Sequence, residues 1–236
     1  MYSDVFCRVY NEFGWNYYPE AFGQQLLHWL EENRLAPRKA LDMACGTGIL
    51  CRCLQDAGME SRGMDLSPGM IDIAAKENPD IPFDVADMVT YSPNDTFDLI
   101  TCTGDALNHI SDPKAIGQIF NNTHRLMNPG GHFVFDLLDE GEVSTSEPFE
   151  MDFSPTTRVW FQMTRPDTDK VNLQIRVWEH GEEAFRETIR ETIHDVGTIC
   201  AQLEKAGFRL IKCSHRLSDT AGTEATTWFI IAKKEN

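Results

Sequence analysis

No stretch of the chain is long and apolar enough to cross a bilayer, and Met1-Tyr2-Ser3-Asp4 lacks the basic start and apolar run of a secretory leader. The expectation is a cytoplasmic protein without a membrane partner. Basic residues are also scarce: lysine and arginine number 21 against 37 aspartates and glutamates, for a formal charge of −16 and a pI near 4.7. An enzyme of nucleic acids needs a stripe of cations to displace counterions, and here even Lys233-Lys234 stands apart, so nucleic acid is not an expected partner. The seven cysteines (Cys7, Cys45, Cys51, Cys53, Cys102, Cys200, Cys213) are odd in number and lie in apolar segments without metal-ligand spacing. They read as reduced core thiols, with no metal site. Internal repeats and low-complexity tracts are absent. At 236 residues the chain fits one α/β domain, 1–236, with room for an insertion.

Against these absences stands Leu41-Asp42-Met43-Ala44-Cys45-Gly46-Thr47-Gly48-Ile49-Leu50, an apolar strand running into a glycine turn that opens a helix. Gly46 and Gly48, lacking Cβ, let a ligand lie against bare backbone. The dinucleotide pattern G-x-G-x-x-G needs a third glycine, and Cys51 holds that place. Asp42 adds a carboxylate at the mouth of the turn, where a pyrophosphate would meet like charge. An adenosine ligand without phosphates, such as the cationic S-adenosylmethionine, suits an acidic rim better. Asp65, 19 residues beyond Gly46, ends a second short apolar run at the spacing from which an acid reaches a ribose. Alone it also reads as a helix cap before Ser67-Pro68. Phe83-Asp84-Val85-Ala86-Asp87-Met88 is a third run ending in an acid. Thr96 to Gly104 reads as a buried strand, and Leu126 to Asp136 as a helix end, a Pro-Gly-Gly turn and another strand.

In this order and spacing the residues resemble the class I S-adenosylmethionine-dependent methyltransferases, strongly over about residues 38–138 and weakly elsewhere. The resemblance implies a Rossmann-like sheet of seven strands, the last antiparallel, with helices on both faces. It also implies the cofactor S-adenosylmethionine and its product S-adenosylhomocysteine. By that resemblance Asp42, Ala44, Gly46 and Gly48 surround the methionine moiety, Asp65 holds the ribose with Leu66 beside the adenine, and Asp87 and Met88 clamp the base. Thr103 follows the fourth strand near the reactive end, and Tyr18, Met70 and Asn108 complete the expected cofactor set. Ala44 stands where stricter members carry glycine.

Outside the motifs, residues 1–37 are aromatic-rich and end in an amphipathic helix through Phe22, Leu26, Leu27, Trp29 and Leu30. They read as a helical cover in which Tyr10, Trp15, Tyr17 and Tyr18 either close over the cofactor or pack the helix on the sheet. Residues 140–195 read as an insertion, a three-stranded antiparallel meander from Arg158 to His194 whose period-two pattern is clearest at Val171, Leu173, Ile175 and Val177. It covers the substrate, forms a homodimer contact, or packs on the core. A helix from Val196 to Lys205 and a last strand from Thr227 follow. Asp105, Asn108, His109 and, more weakly, His194, Tyr17 and Tyr18 are the polar groups near the expected reacting end, and none is singled out as a catalytic base. Three functions compete: a methyltransferase for a small molecule, at nitrogen or oxygen rather than carbon; a non-catalytic S-adenosylmethionine-binding protein; and, disfavoured by Asp42 and Cys51, a nicotinamide oxidoreductase.

Overall fold

The computed structural model describes residues 4–11, 14–141, 145, 147–218 and 227–235. Parts of the expected cover (1–3, 12, 13) and of the insertion (142–144, 146) thus lie outside the described residues. Seven strands form the central sheet: β1 (Lys39–Met43), β2 (Glu60–Asp65), β3 (Phe83–Val85), β4 (Phe97–Cys102), β5 (Met127–Leu138), β10 (Phe208–Ser214) and β11 (Thr227–Lys234). Their spatial order is β10-β11-β5-β4-β1-β2-β3, with β11 antiparallel to both neighbours and β1 to β5 parallel. Among the described residues six α-helices accompany the strands: α1 (Asp4–Tyr10), α2 (Tyr17–Glu32), α3 (Ile49–Asp56), α4 (Pro68–Glu77), α5 (Pro113–Leu126) and α6 (Val196–Lys205).

Buried on both faces, the strands sort their side chains by parity. Ala40, Leu99, Val134 and Ile231 pack with α2 and α3 through Phe22, Leu26, Trp29, Leu50 and Leu54. Their neighbours Leu41, Ile100, Phe133, Phe135 and Ile230 pack with α5 and α6 through Ile116, Ile119, Phe120, Ile199 and Leu203. Helix starts follow local chemistry. Ser67 accepts from Met70 N at the head of α4, Asp112 from Lys114 N before α5 and Asp195 from Thr198 N before α6, the first two followed by proline. Ser67 rather than Asp65 is therefore the cap of α4.

Between β5 and α6 lies a second, antiparallel sheet of four strands, β6 (Phe149–Ser154), β7 (Thr157–Asp167), β8 (Lys170–Glu179) and β9 (Glu182–Thr192). The expected three-stranded meander is thus corrected to four, because Phe149 to Ser154 pairs along β7 as an edge strand. Its apolar side chains Phe149, Met151 and Phe153 stay exposed, so no burial signal marked it. The Pro-Gly-Gly segment is not a separate turn either. Strand β5 begins at Met127, with the irregularity taken up in its register against β4 and by Gly130 at φ +80°. The inner face of the second sheet, Val159, Ile175, Val177 and Phe185, packs on Phe6 and Cys7 of α1 and Met70 of α4.

Candidate functional site

A cavity of about 510 Å³ opens where β1, β2 and β4 reach their carboxyl ends, within the ~300–1,000 Å³ usual for small-ligand sites. Its wall takes Asp42, Ala44, Gly46, Asp65, Leu66, Met88 and Thr103 from the central sheet and its loops, and Met70 from α4. Tyr10 and Pro19 close it from the N-terminal segment, His109 and Ile110 come from the loop after β4, and Glu187 to Arg190 come from β9.

Three residues set the turn after β1. Ala44 sits at φ +57°, a left-handed conformation that costs a residue with a Cβ roughly 1–2 kcal/mol. Gly46 at φ +53° faces open space, so its backbone is bare toward the cavity. Gly48 at φ +81° is glycine for another reason. A Cβ there would come 2.9 Å from Phe83 and 3.1 Å from Ala74, so its smallness lets α3 start against β3 and α4, and it lies off the cavity wall.

Asp65 accepts from Gly46 N at 3.0 Å through Oδ2 and from Ser67 N at 2.8 Å through Oδ1. A carboxylate offers about four lone-pair sites, so two remain for donors from the cavity. Burial raises its pKa and the backbone donors partly offset that. Asp42 is not the acidic rim expected of it. It lies 2% exposed at the base of the cavity, accepting from Thr101 Oγ1 at 2.7 Å, and burial pushes its carboxyl up to about 7.

Tyr18 and Asn108 serve neighbouring elements instead of the wall. The Tyr18 hydroxyl donates to Asp136 Oδ2, and Asp136 also receives Gly104 N at 3.0 Å and Asp105 N at 2.9 Å. This carboxylate holds the loop after β4, where Gly104 and Asp105 adopt φ +72° and +59°. Asn108, in a 3-10 turn (Ala106–His109), donates to Thr192 O at 2.8 Å and accepts from Leu138 N at 3.2 Å, tying β9 to the end of β5. Asp87 is exposed and caps Val89 N at 2.8 Å beside Met88. Of the N-terminal aromatics, Tyr10 lines the cavity, Trp15 meets Phe6 and Phe161, and Tyr17 stays 75% exposed. His194 contacts Leu107 O at 3.1 Å.

Sequence reading missed Asp136, Glu187, Ile189 and Arg190. Asp136 ends a visibly apolar run, the signal used for Asp65 and Asp87, whereas the β9 residues reach the cavity only through tertiary folding. All seven cysteines carry thiols outside disulfides, and among the described residues no group of His, Cys, Asp and Glu has metal-site geometry. No described helix is long and apolar enough to cross a membrane.

Residues 40–131, from β1 into β5, match the methyltransferase domain family. A methyltransferase-named protein of Bacillus subtilis is 27% identical over 207 residues, covering 83% of each chain. Among solved structures, an S-adenosylmethionine-dependent methyltransferase from Clostridium acetobutylicum superposes with TM-score 0.83 at 21% identity, covering 98% of each chain. An amino pentose methyltransferase from Micromonospora echinaspora, solved with S-adenosylmethionine bound, gives 0.75 at 18% over 99% of this chain and 98% of its own. Residues 40–131 thus carry a match to a methyltransferase domain, and over its whole length the chain is similar in fold to solved S-adenosylmethionine-dependent methyltransferases.

Proposed function

We propose that the cavity binds S-adenosylmethionine along the carboxyl ends of β1, β2 and β4 and presents its methyl group to a small-molecule acceptor, at nitrogen or oxygen, under the second sheet. The carrying observation is Asp65: buried, fixed by two backbone donors and still able to accept two more hydrogen bonds, it fits a ribose diol. Leu66 and Met88 offer apolar surface for an adenine, with Asp87 at the rim beside Met88, and Gly46 leaves backbone accessible to the amino-acid end. The bound cofactor supplies an activated methyl group on a sulfonium leaving group. What the protein adds is position, which in well-oriented pairs is worth ~7–11 kcal/mol. The second sheet and α1 form the cover, since residues of β9 and Tyr10 of α1 also wall the cavity. A cavity of this size roofed by a sheet suits a small acceptor rather than a polymer.

The test is Asp65→Ala. Losing a charge-assisted pair of hydrogen bonds costs ~1.5–3 kcal/mol, so affinity for S-adenosylhomocysteine falls by one to two decades, roughly. Titration calorimetry showing unchanged affinity in a folded variant removes the assignment.

A further inference from the structure

The geometry points to the open edge of β9 as the docking strand for the acceptor, with the main-chain N–H and C=O of Thr188 as its anchor. The acceptor then carries a single peptide-like unit, an amide N–H and a carbonyl flanking the same carbon. This rests on the reading of the cavity as the site of methyl transfer.

Consecutive residues of β9, Glu187, Thr188, Ile189 and Arg190, all line the cavity. A strand presenting one face would contribute alternate residues, so it is the edge of the strand that looks inward. Strand β9 is the outermost of its sheet, whose order is β6-β7-β8-β9. The ladder fixes which groups that edge exposes. Ile193 N donates to Asp169 O at 2.8 Å, one step beyond Thr192 and its partner Lys170, and the register runs unbroken from Thr192 to Phe185. Odd-numbered residues of β9 therefore turn their main chain toward β8. In an antiparallel ladder the alternate residues turn both groups the other way. Thr188, Arg190 and Thr192 thus aim N–H and C=O at the open edge.

Two of those carbonyls are already taken. Asn108 Nδ2 donates to Thr192 O at 2.8 Å. The His109 ring bonds the Arg190 main chain in a contact that favours the protonated imidazole, which makes the carbonyl its partner. These two side chains, consecutive in the 3-10 turn, close the edge from Arg190 onward. At the other end Arg186, the next outward residue, lies off the cavity wall. Among the described residues of β9, Thr188 alone keeps a complete donor and acceptor pair on the cavity side, with no main-chain partner there.

Such a pair is matched by another main-chain unit, since the N–H and C=O of one extended residue meet those of its antiparallel partner directly. A lone amine or hydroxyl answers only one of the two groups. A longer strand, which needs several pairs in a row, is stopped by Asn108 and His109. What fits is a small molecule with one acylated amino-acid unit.

N-acetylalanine methylamide is the probe, and its control is the analogue with an ester oxygen in place of the alanine N–H. Both are titrated into isotope-labelled protein saturated with S-adenosylhomocysteine, and the Thr188 and Arg190 amide signals are followed by NMR. The amide probe moves these signals and binds about three- to tenfold tighter than the ester, the worth of one main-chain hydrogen bond. Thr188→Pro deletes the donor on the side away from β8, where a strand edge tolerates proline, and cuts affinity for the amide by a similar factor. Equal binding of amide and ester to wild type overturns the proposal, whether or not the proline variant folds. So does undiminished binding of the amide to a folded Thr188→Pro. Methyl glucoside moving the two signals while the amide leaves them still would make the acceptor a polyol and overturn it as well. If S-adenosylhomocysteine itself fails to bind, the reading of the cavity falls, and the proposal with it.

Discussion

Asp42 shows how the site spends stability on its contents. In the unfolded chain this carboxyl ionises near 3.8, whereas in the fold burial lifts it to about 7. The native state therefore holds a proton that the unfolded state has released between those values. The contribution is harmless below about pH 4, and stability is lost progressively as pH rises toward 7. At about 1.4 kcal/mol per unit the full effect is on the order of 4 kcal/mol at pH 8. Asp42→Asn keeps an acceptor for Thr101 and removes the penalty. Its gain in urea stability over wild type is expected to be large at pH 8 and to vanish near pH 4; equal gains at both would mean that the carboxyl is not titrating there. Asp42 was legible in the sequence as a carboxylate at the glycine turn but not as a buried one. Nothing local to Leu41-Asp42-Met43 reveals that Thr101, from a strand 59 positions on, supplies its partner.

At the level of elements the sequence was most informative where periodicity and turn chemistry agree. Helix α6 and the β7 to β9 pattern were readable because their capping and parity signals are local. Strand β6 was not, since it buries neither face, and the path of β9 into the cavity depends on contacts with α1 and the 3-10 turn. Asn108 is the joint between the two sheets. Asn108→Ala would strand the Thr192 carbonyl and the Leu138 amide, both partners of a fully buried side chain. At ~1–3 kcal/mol per unpaired group, a loss of about 2–6 kcal/mol follows. Hydrogen exchange should quicken at the ends of β9 and β5 before it does in β1 or β4. Uniform quickening across the central sheet would deny the joint its local role.

For the whole molecule, a charge of −16 over 236 residues means self-repulsion in the compact state. Exposed pairs such as Lys39–Asp95 and Arg52–Asp56 offset little of it. Raising sodium chloride from 0.1 to 1 M shortens the screening length from ~10 Å to ~3 Å, so the melting temperature should rise by several degrees. A fall on scanning calorimetry would show that the ion pairs outweigh the repulsion. The sheet order carries a further consequence for how the chain is made. Strand β5 pairs on one side with β4 but on the other with β11, which the ribosome delivers only after the entire four-stranded sheet and α6. The hairpins of that second sheet can zip as they emerge, while the β11-facing edge of β5 waits unpaired for roughly 90 residues of synthesis, several seconds at ~5–20 residues per second. An open, apolar edge held that long is a template for other chains. The step that needs a chaperone's protection is therefore the interval before β11 inserts, not the assembly of strands β1 to β4.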